Sequence, residues 1–240
     1  MELLIEKKEF KIENRKVEEL IFSISNGYIG IRGSFEEEIL NKNSSIEGTY
    51  INAFYDYFDI QYAAKYTGYP DLYQRMMPLI NIQNLEIYID DKRILFDPTK
   101  ASNYSIEYQM QSGQIVRKYR FNLNDEEYID FYFSKLLSQI SYELFLQQIS
   151  FTTSFKSEKE VKINFPLIFK ETSTDKGIPN DPRALLKDQK SFNKIERESS
   201  NSFQSIVYKT LKSNQKVVYA TKISGLNSFN FSEYEEKTYY

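Results

Sequence analysis

Along much of the chain, apolar and polar positions alternate with a period of two, the pattern of strands that bury one face. Leu85, Ile87 and Ile89 alternate with Glu86 and Tyr88, and Asp90-Asp91-Lys92 then turns the chain into residues 93–96, which predicts a hairpin. Tyr104, Ile106, Tyr108 and Met110 alternate with Ser105, Glu107 and Gln109. Gln111-Ser112-Gly113-Gln114 reverses the direction, and residues 115–123 return with Tyr119, Phe121 and Leu123 on one face. Asn124-Asp125-Glu126-Glu127 turns again into a strand over 128–133. Further strands are predicted over 142–152, 161–169, 203–211 and 216–223. Sequential strands joined by short polar turns make an antiparallel meander, so the predicted class is all-β, a sandwich forming a single domain over residues 1–240.

Two segments break the rhythm. Residues 34–78 carry few clear strands and many Tyr, punctuated by Gly48, Gly68 and Pro70. A loop-rich stretch of that length in a compact domain is usually functional or covers an interface. Residues 172–202 open with Thr172-Ser173-Thr174-Asp175-Lys176-Gly177-Ile178-Pro179-Asn180-Asp181-Pro182, a turn-forming run followed by a polar tract. At the C-terminus, Phe229-Asn230-Phe231-Ser232 and Lys237-Thr238-Tyr239-Tyr240 still read as strand or its approach, so the chain is expected to be a piece of something longer.

Composition narrows the chemistry. The 20 Tyr and 18 Phe, with no Trp, favour strands, because aromatic side chains pack well on a half-buried pleated surface. Tyr recurs along the whole chain, which favours sheet packing over a single stacking surface for sugars or bases. The net charge of −3 is interspersed and leaves no basic stripe, so no nucleic acid is expected as a partner. Without Cys there are no disulfides or thiolate metal sites; without His the usual general base, zinc ligand and Ser-His-Asp arrangement are gone. No metal is expected, and any chemistry would run on carboxylates, Lys, Arg or Tyr. The start, Met1-Glu2-Leu3-Leu4-Ile5-Glu6-Lys7-Lys8-Glu9, lacks the apolar run of a signal peptide. No stretch of about 18 apolar residues occurs, so no membrane span is expected and the chain reads as cytoplasmic.

The densest local signal is Asn26-Gly27-Tyr28-Ile29-Gly30-Ile31-Arg32-Gly33-Ser34-Phe35-Glu36-Glu37, where three of the eight Gly fall at three-residue spacing. The spacing is not that of a dinucleotide fingerprint. It suits a glycine-kinked inner strand with Arg32 in a buried ion pair. Glu36-Glu37-Glu38 supplies the residue type of paired glycosidase carboxylates, yet three consecutive acids point to different faces and are expected to be solvated. Asp90-Asp91 reads as turn chemistry. Asp56 and Asp59, among Tyr55, Tyr57, Phe58 and Tyr62, fit either a sugar-contacting loop or a loop packing on a neighbouring domain.

Taken together, the glycine run with Phe35-Glu36-Glu37 resembles the signature near the N-terminus of glycoside hydrolase family 65, which contains maltose, trehalose and kojibiose phosphorylases and related hydrolases. Glu47-Gly48-Thr49-Tyr50-Ile51 and Leu85-Glu86-Ile87-Tyr88-Ile89-Asp90 are similar to its next stretches. Gly113-x-Ile115-x-Arg117 matches a Gly-x-Leu-x-Arg hairpin, and Phe131-Tyr132-Phe133-Ser134 resembles an Arg-Phe-Leu-Ser strand with Tyr132 in place of the Arg. The match is good over about the first 170 residues and one of pattern beyond them.

The resemblance implies an antiparallel super-β-sandwich of the galactose mutarotase type with few short helices. A helical linker and an (α/α)6 barrel would follow it. That barrel would carry the general acid Glu and the phosphate-binding residues, so no residue of this chain inherits a catalytic role. No cofactor is implied beyond inorganic phosphate as co-substrate of the parent enzyme. The implied partners are the barrel, a disaccharide substrate and a second subunit in a homodimer. Within the signature, Asn26, Gly27, Tyr28, Gly30, Arg32 and Gly33 are expected to be structural. Tyr55, Tyr57, Tyr62, Tyr66, Tyr69 and Tyr73, in the segment 48–78, are the candidates for a substrate-pocket loop or a domain interface. An exposed apolar patch is expected somewhere in residues 20–78. Hydrolysis instead of phosphorolysis, and a stand-alone carbohydrate-binding sandwich, are the alternatives. A mutarotase is disfavoured, since its acid is a His.

Overall fold

The structure is a computed structural model that describes residues 3–40, 45–60, 62, 64–169, 172–173, 189–200 and 202–225. The expected strand material at 229–240 and most of the turn-forming run at 172–182 lie outside the described residues. In order, the elements are β1 (Leu4–Lys7), a 3-10 turn (Ile12–Asn14), α1 (Arg15–Ile21), β2 (Ile24–Ser25), β3 (Ile29–Ile31), β4 (Thr49–Ile51), β5 (Tyr55–Asp59) and β6 (Leu72–Met76). There follow β7 (Glu86–Ile89), β8 (Lys92–Ile94), β9 (Ala101–Gln109), β10 (Gln114–Asn122), β11 (Tyr128–Leu137), β12 (Phe145–Ser154) and β13 (Val161–Asn164). The last are β14 (Thr172–Ser173), β15 (Gln189–Lys190), β16 (Phe192–Ser200), β17 (Phe203–Thr210) and β18 (Lys216–Lys222). The class is all-β and the paired strands are antiparallel, as the alternation predicts.

The chain divides into two compact units, Met1–Asn52 with Asn81–Pro166, and Ala53–Ile80 with Leu167–Tyr240. In the first, a five-stranded sheet of order β1-β9-β10-β11-β12 shares a core with the small sheets β13-β7-β8 and β2-β3-β4. Period-two patterning decides which side chains enter that core. β10 turns Ile115, Arg117, Tyr119 and Phe121 inward, and β11 turns Ile129, Phe131, Phe133, Lys135 and Leu137 inward. Leu85, Ile87, Phe96, Ile129 and Phe133 are wholly buried, each such side chain stabilising the fold by about 1.5–3 kcal/mol before entropy is counted. Asp90 and Asp91 occupy the two central positions of the β7–β8 turn with φ of 49° and 61°. That left-handed pair is what a two-residue hairpin demands, and Asp tolerates it.

In the second unit, β16, β17 and β18 form one sheet and β5 with β6 a hairpin. An aromatic cluster holds it: Phe192 meets Tyr208 edge-on at 5.2 Å, Phe169 lies 4.9 Å from Tyr208, and Phe54 stacks on Phe192 at 6.5 Å. Asp56 is buried under the β17–β18 turn, where its carboxylate accepts from the amides of Leu211 (3.0 Å), Lys212 (3.2 Å) and Ser213 (2.7 Å). It closes that turn and is not free to meet a sugar, while exposed Asp59 pairs with Lys212.

Several expectations need correcting. The segment 34–78, read as loop-rich, contains β4, β5 and β6. The polar tract before residue 202 forms β16, whose residues are mostly solvated outside its ladder to β17, so apolar alternation never marked it. The strand expected from residue 142 begins at Phe145, and the one expected over 161–169 ends at Asn164. α1 escaped notice because its buried positions are Arg15, Glu18 and Glu19, the reverse of an ordinary amphipathic helix.

Replacing Asp56 by Ala should cost about 2 kcal/mol in urea-induced unfolding, because three half-buried amides lose a buried charged acceptor. Lys212→Ala, which removes only the exposed pair to Asp59, should cost under about 1 kcal/mol.

Candidate functional site

The signature segment 26–37 is the best-anchored stretch of the first unit, and charges hold it. Arg117, 2% exposed, projects from the inward face of β10 between Glu36 and Glu37. Its Nε and Nη2 donate to Glu36 Oε2 at 3.1 and 2.8 Å, its Nη1 donates to Glu37 Oε1 at 2.9 Å, and Nη2 also meets the other Glu37 oxygen. Lys135 stands diagonally across the ladder on β11, since Arg117 is opposite Phe133 and Ile115 is opposite Lys135. Its ammonium has three partners: Glu36 Oε1 at 2.8 Å, the Ser34 carbonyl at 2.9 Å and Gln83 Oε1 at 2.6 Å. Gln83 in turn donates to the Arg32 carbonyl and the Ser34 hydroxyl.

Phe35 completes the clamp. Its ring lies between two guanidinium groups, Arg15 at 3.6 Å and Arg117 at 4.1 Å from the centroid, a cation–π arrangement strengthened by the absence of water. Arg15 also pairs with Glu19 at 3.2 Å, and Glu19 accepts from the Ile46 amide at 2.7 Å and from the Ser45 hydroxyl. Lys7 meets Glu18. The cluster thus ties α1, β10, β11 and the chain entering β4 to one short segment.

The other signature residues differ in how tightly they are held. The Asn26 carboxamide caps its own turn by accepting from the Tyr28 and Ile29 amides, and it donates to the carbonyls of Ser138 and Tyr142 in the β11–β12 loop. Gly27 adopts φ of +87°, which L side chains avoid. Gly33 passes so close to α1's exit that an added Cβ would stand 2.6 Å from the Phe22 carbonyl oxygen. Gly30 has room, with Ser25 Cβ at 3.9 Å. Arg32 departs from the expected buried pair: its side chain is about one-fifth exposed, 3.8 Å from Glu19, and bonds mainly to the Ile46 carbonyl at 2.8 Å.

The expectation that Glu36-Glu37-Glu38 is solvated is overturned for Glu36 and Glu37, at 2% and 3% exposure. Glu38 is half-buried and pairs with Arg93 at 3.0 Å. Solvation failed as a guide because Arg117 and Lys135 supply the counter-charges from the core-facing phase of two strands, and burying a paired, hydrogen-bonded charge is tolerable where burying a lone one is not. Burial on its own would raise the Glu36 carboxyl; the charges and hydrogen bonds of Lys135 and Arg117 outweigh it and hold the group down to about 2. Burial lowers the Lys135 ammonium, and Glu36 only partly offsets this. Arg117 rises despite burial, because Glu37 and Glu36 flank it. A carboxyl held that low, sealed and with both oxygens engaged neither donates nor accepts protons in turnover; the cluster is built to hold backbone.

The candidate Tyr residues belong to the second unit. Tyr62 and Tyr69 meet at 5.1 Å and Tyr66 and Tyr69 at 5.6 Å, beyond the ends of the β5–β6 hairpin, with Tyr66 and Tyr69 exposed. Tyr57 is exposed on β5, Tyr55 is half-buried, and Tyr73 packs on Phe58 at 5.5 Å. Three of the six therefore form a surface ring cluster and the others are spread along the hairpin. Elsewhere in the first unit, a cleft of about 410 Å3 is lined by Asp90, Arg93, Lys100 and Phe121 among others, and shares no residue with the signature. Among the described residues no cluster of three or more metal-ligating side chains occurs, and no helix is long and apolar enough to cross a membrane.

Comparison with known proteins gives this geometry a family. Residues 5–238 match the model of the glycosyl hydrolase family 65 N-terminal domain. The chain belongs to that family. It is 32% identical over 218 residues to an α,α-trehalose phosphorylase of Geobacillus stearothermophilus, covering 88% of this chain and 27% of the relative. It is 26% identical over 117 residues to a maltose phosphorylase of Bacillus subtilis (strain 168), covering 49% of this chain and 15% of that one. A solved structure named for a kojibiose phosphorylase from the human microbiome superposes with a TM-score of 0.77 at 21% identity, over 95% of this chain and 28% of that chain, and so shares the fold. The chain thus spans about a quarter of the length of the trehalose phosphorylase and of the kojibiose phosphorylase chain.

Arg15, Glu19, Gln83 and Lys135 went unread in the sequence. A signal existed for Lys135, a cation in phase with Ile129, Phe131 and Phe133 on a core-facing strand.

Because the folded-state Glu36 lies below the ordinary carboxylate value of 4.5, its stabilisation is complete above about pH 4.5 and is lost as pH falls towards 2. Unfolding followed by fluorescence across this range should show that loss, and Glu36→Gln should flatten the slope while lowering stability at pH 7.

Proposed function

We propose that this chain is the N-terminal accessory domain of a disaccharide phosphorylase acting on an α-glucoside in the cytoplasm. It packs on the catalytic part of the full-length enzyme, helps shape the sugar pocket and contributes to the dimer. The observation that carries the reading is the combination of a family 65 match across the chain with a signature whose carboxylates are sealed inside a salt-bridge cluster. The chain's densest acids hold the fold together, so the reacting groups belong to the remaining three quarters of such an enzyme. Phosphorolysis is favoured over hydrolysis because the relatives named for a particular sugar are trehalose, maltose and kojibiose phosphorylases, whereas those named glycosyl hydrolases are uncharacterized. Inorganic phosphate is then the co-substrate, bound in that remaining part.

The clustered Tyr62, Tyr66 and Tyr69, of which Tyr66 and Tyr69 are exposed, are the side chains offered to the sugar or to the catalytic part, since aromatic faces suit both. A pocket completed only on assembly gives the isolated chain millimolar sugar affinity at best, about −4 kcal/mol.

The test joins this chain to the portion of the Geobacillus trehalose phosphorylase lying beyond its matched region. The fusion should release glucose 1-phosphate from trehalose and phosphate, while the chain alone should release none. Turnover by the chain alone would refute the accessory role, and so would a fusion no more active than the relative's portion without this chain.

A further inference from the structure

α1 is turned inside out. Arg15, Glu18 and Glu19 are buried, whereas Val17, Leu20 and Ile21 are 58%, 59% and 46% exposed. These three stand at the i, i+3 and i+4 positions of one helical face. The helix cannot roll to bury them, because Arg15 clamps Phe35, Lys7 holds Glu18, and Glu19 caps the Ile46 amide, all three partners lying outside the helix. Rolling the apolar stripe inward would strip those charges of their partners and leave Arg15 and Glu19 buried without them.

Exposed apolar side chains also stand on the segment that follows the helix and on the loop fastened to it. Tyr28, 38% exposed, sits on the turn that Asn26 fastens to the carbonyls of Ser138 and Tyr142. That fastened loop presents Ile140 at 94% exposure, with Tyr142 and Leu144 at 50% and 45%. Two features of the signature therefore act together: Phe35 helps hold α1 with its apolar side outward by receiving Arg15, and Asn26 holds a second apolar loop next to the signature. Single exposed apolar side chains are ordinary; a set grouped on a helix and a loop that polar bonds lock in place marks an interaction surface.

The geometry points to α1's outer face and the 138–144 loop as the surface on which the remaining part of the family 65 polypeptide docks. This rests on the accessory-domain reading and adds to it the face that is used. The occupant follows from length: the chain accounts for 27% of the trehalose phosphorylase and 28% of the kojibiose phosphorylase chain, leaving about three quarters of such a protein to cover an apolar face that the described residues leave bare. An interface core depleted of charge and rich in aliphatic and aromatic side chains is what such docking requires, and Val17, Leu20, Ile21, Tyr28, Ile140 and Tyr142 supply it.

Hydroxyl-radical footprinting reads the claim side chain by side chain, on the chain alone at low and high concentration and on the fusion described above. In the fusion, modification of Leu20, Ile21, Tyr28 and Tyr142 should fall at least about fivefold, as for side chains entering a close-packed interface, with no such fall in the concentrated isolated chain. Protection already present in the concentrated chain alone would assign the face to a second copy and overturn the proposal. Protection confined to other surfaces of the fusion would overturn it too, leaving the accessory-domain reading intact. No protected side chain anywhere would sink both.

Discussion

Everything distinctive in the first unit depends on Arg117 reaching between Glu36 and Glu37. A guanidinium on the inward face of a central strand would be ruinous unpaired, because desolvating a charge costs several kcal/mol even after the protein relaxes. Here the fold surrounds it with two carboxylates and the rings of Phe35, Phe133 and Tyr119. Those contacts demand that residues 34–37 run past β10 in one position. From that constraint follow Gly33's close approach to Phe22, the burial of Phe35 between two cations and the inverted orientation of α1. Such a cluster specifies an arrangement more than it adds net stability, since an apolar core of the same volume often does as well energetically.

The consequence for function lies in what the cluster withholds. A run of acids beside a glycine signature in a family of glycoside enzymes invites a catalytic reading, and burial removes it. The carboxylates act on backbone placement through Arg117 and Lys135, while Asn26 separately fastens the loop that carries Ser138 and Tyr142. Under the function proposed above, the domain serves chemistry performed elsewhere by presenting a fixed face. The Tyr-rich hairpin of the second unit is a separate feature, anchored at its base by Asp56 and the three amides it accepts.

The sheet was legible wherever one face of a strand is wet. β9, β10 and β11 alternate cleanly, so their existence and the turns between them followed from period two, and the Asp90-Asp91 turn followed from its residue types. β5, β6 and β16 escaped because Tyr, Asp, Lys and Ser fill positions on both faces of short or solvated strands, leaving no phase to read. α1 escaped for a sharper reason: an amphipathic rule assigns Val17, Leu20 and Ile21 inward, and long-range pairing with Glu19, Glu18 and Phe35 reverses it. Glycine spacing located the signature, and the fate of its acids could not follow from local sequence, since the partners lie about 80 and 100 residues away in the chain, as Arg117 and Lys135 do. No local pattern encodes a contact of that separation.

The most direct measurement is a double-mutant cycle for unfolding at pH 7 with Arg117→Met, Glu36→Gln and the two together. If the guanidinium and the carboxylates act as one unit, the double variant should be more stable than the sum of the single losses predicts, with a coupling of at least about 2 kcal/mol. Losses that add to within about 0.5 kcal/mol would mean that the two groups merely lie near one another. The signature would then be held by something other than its charges.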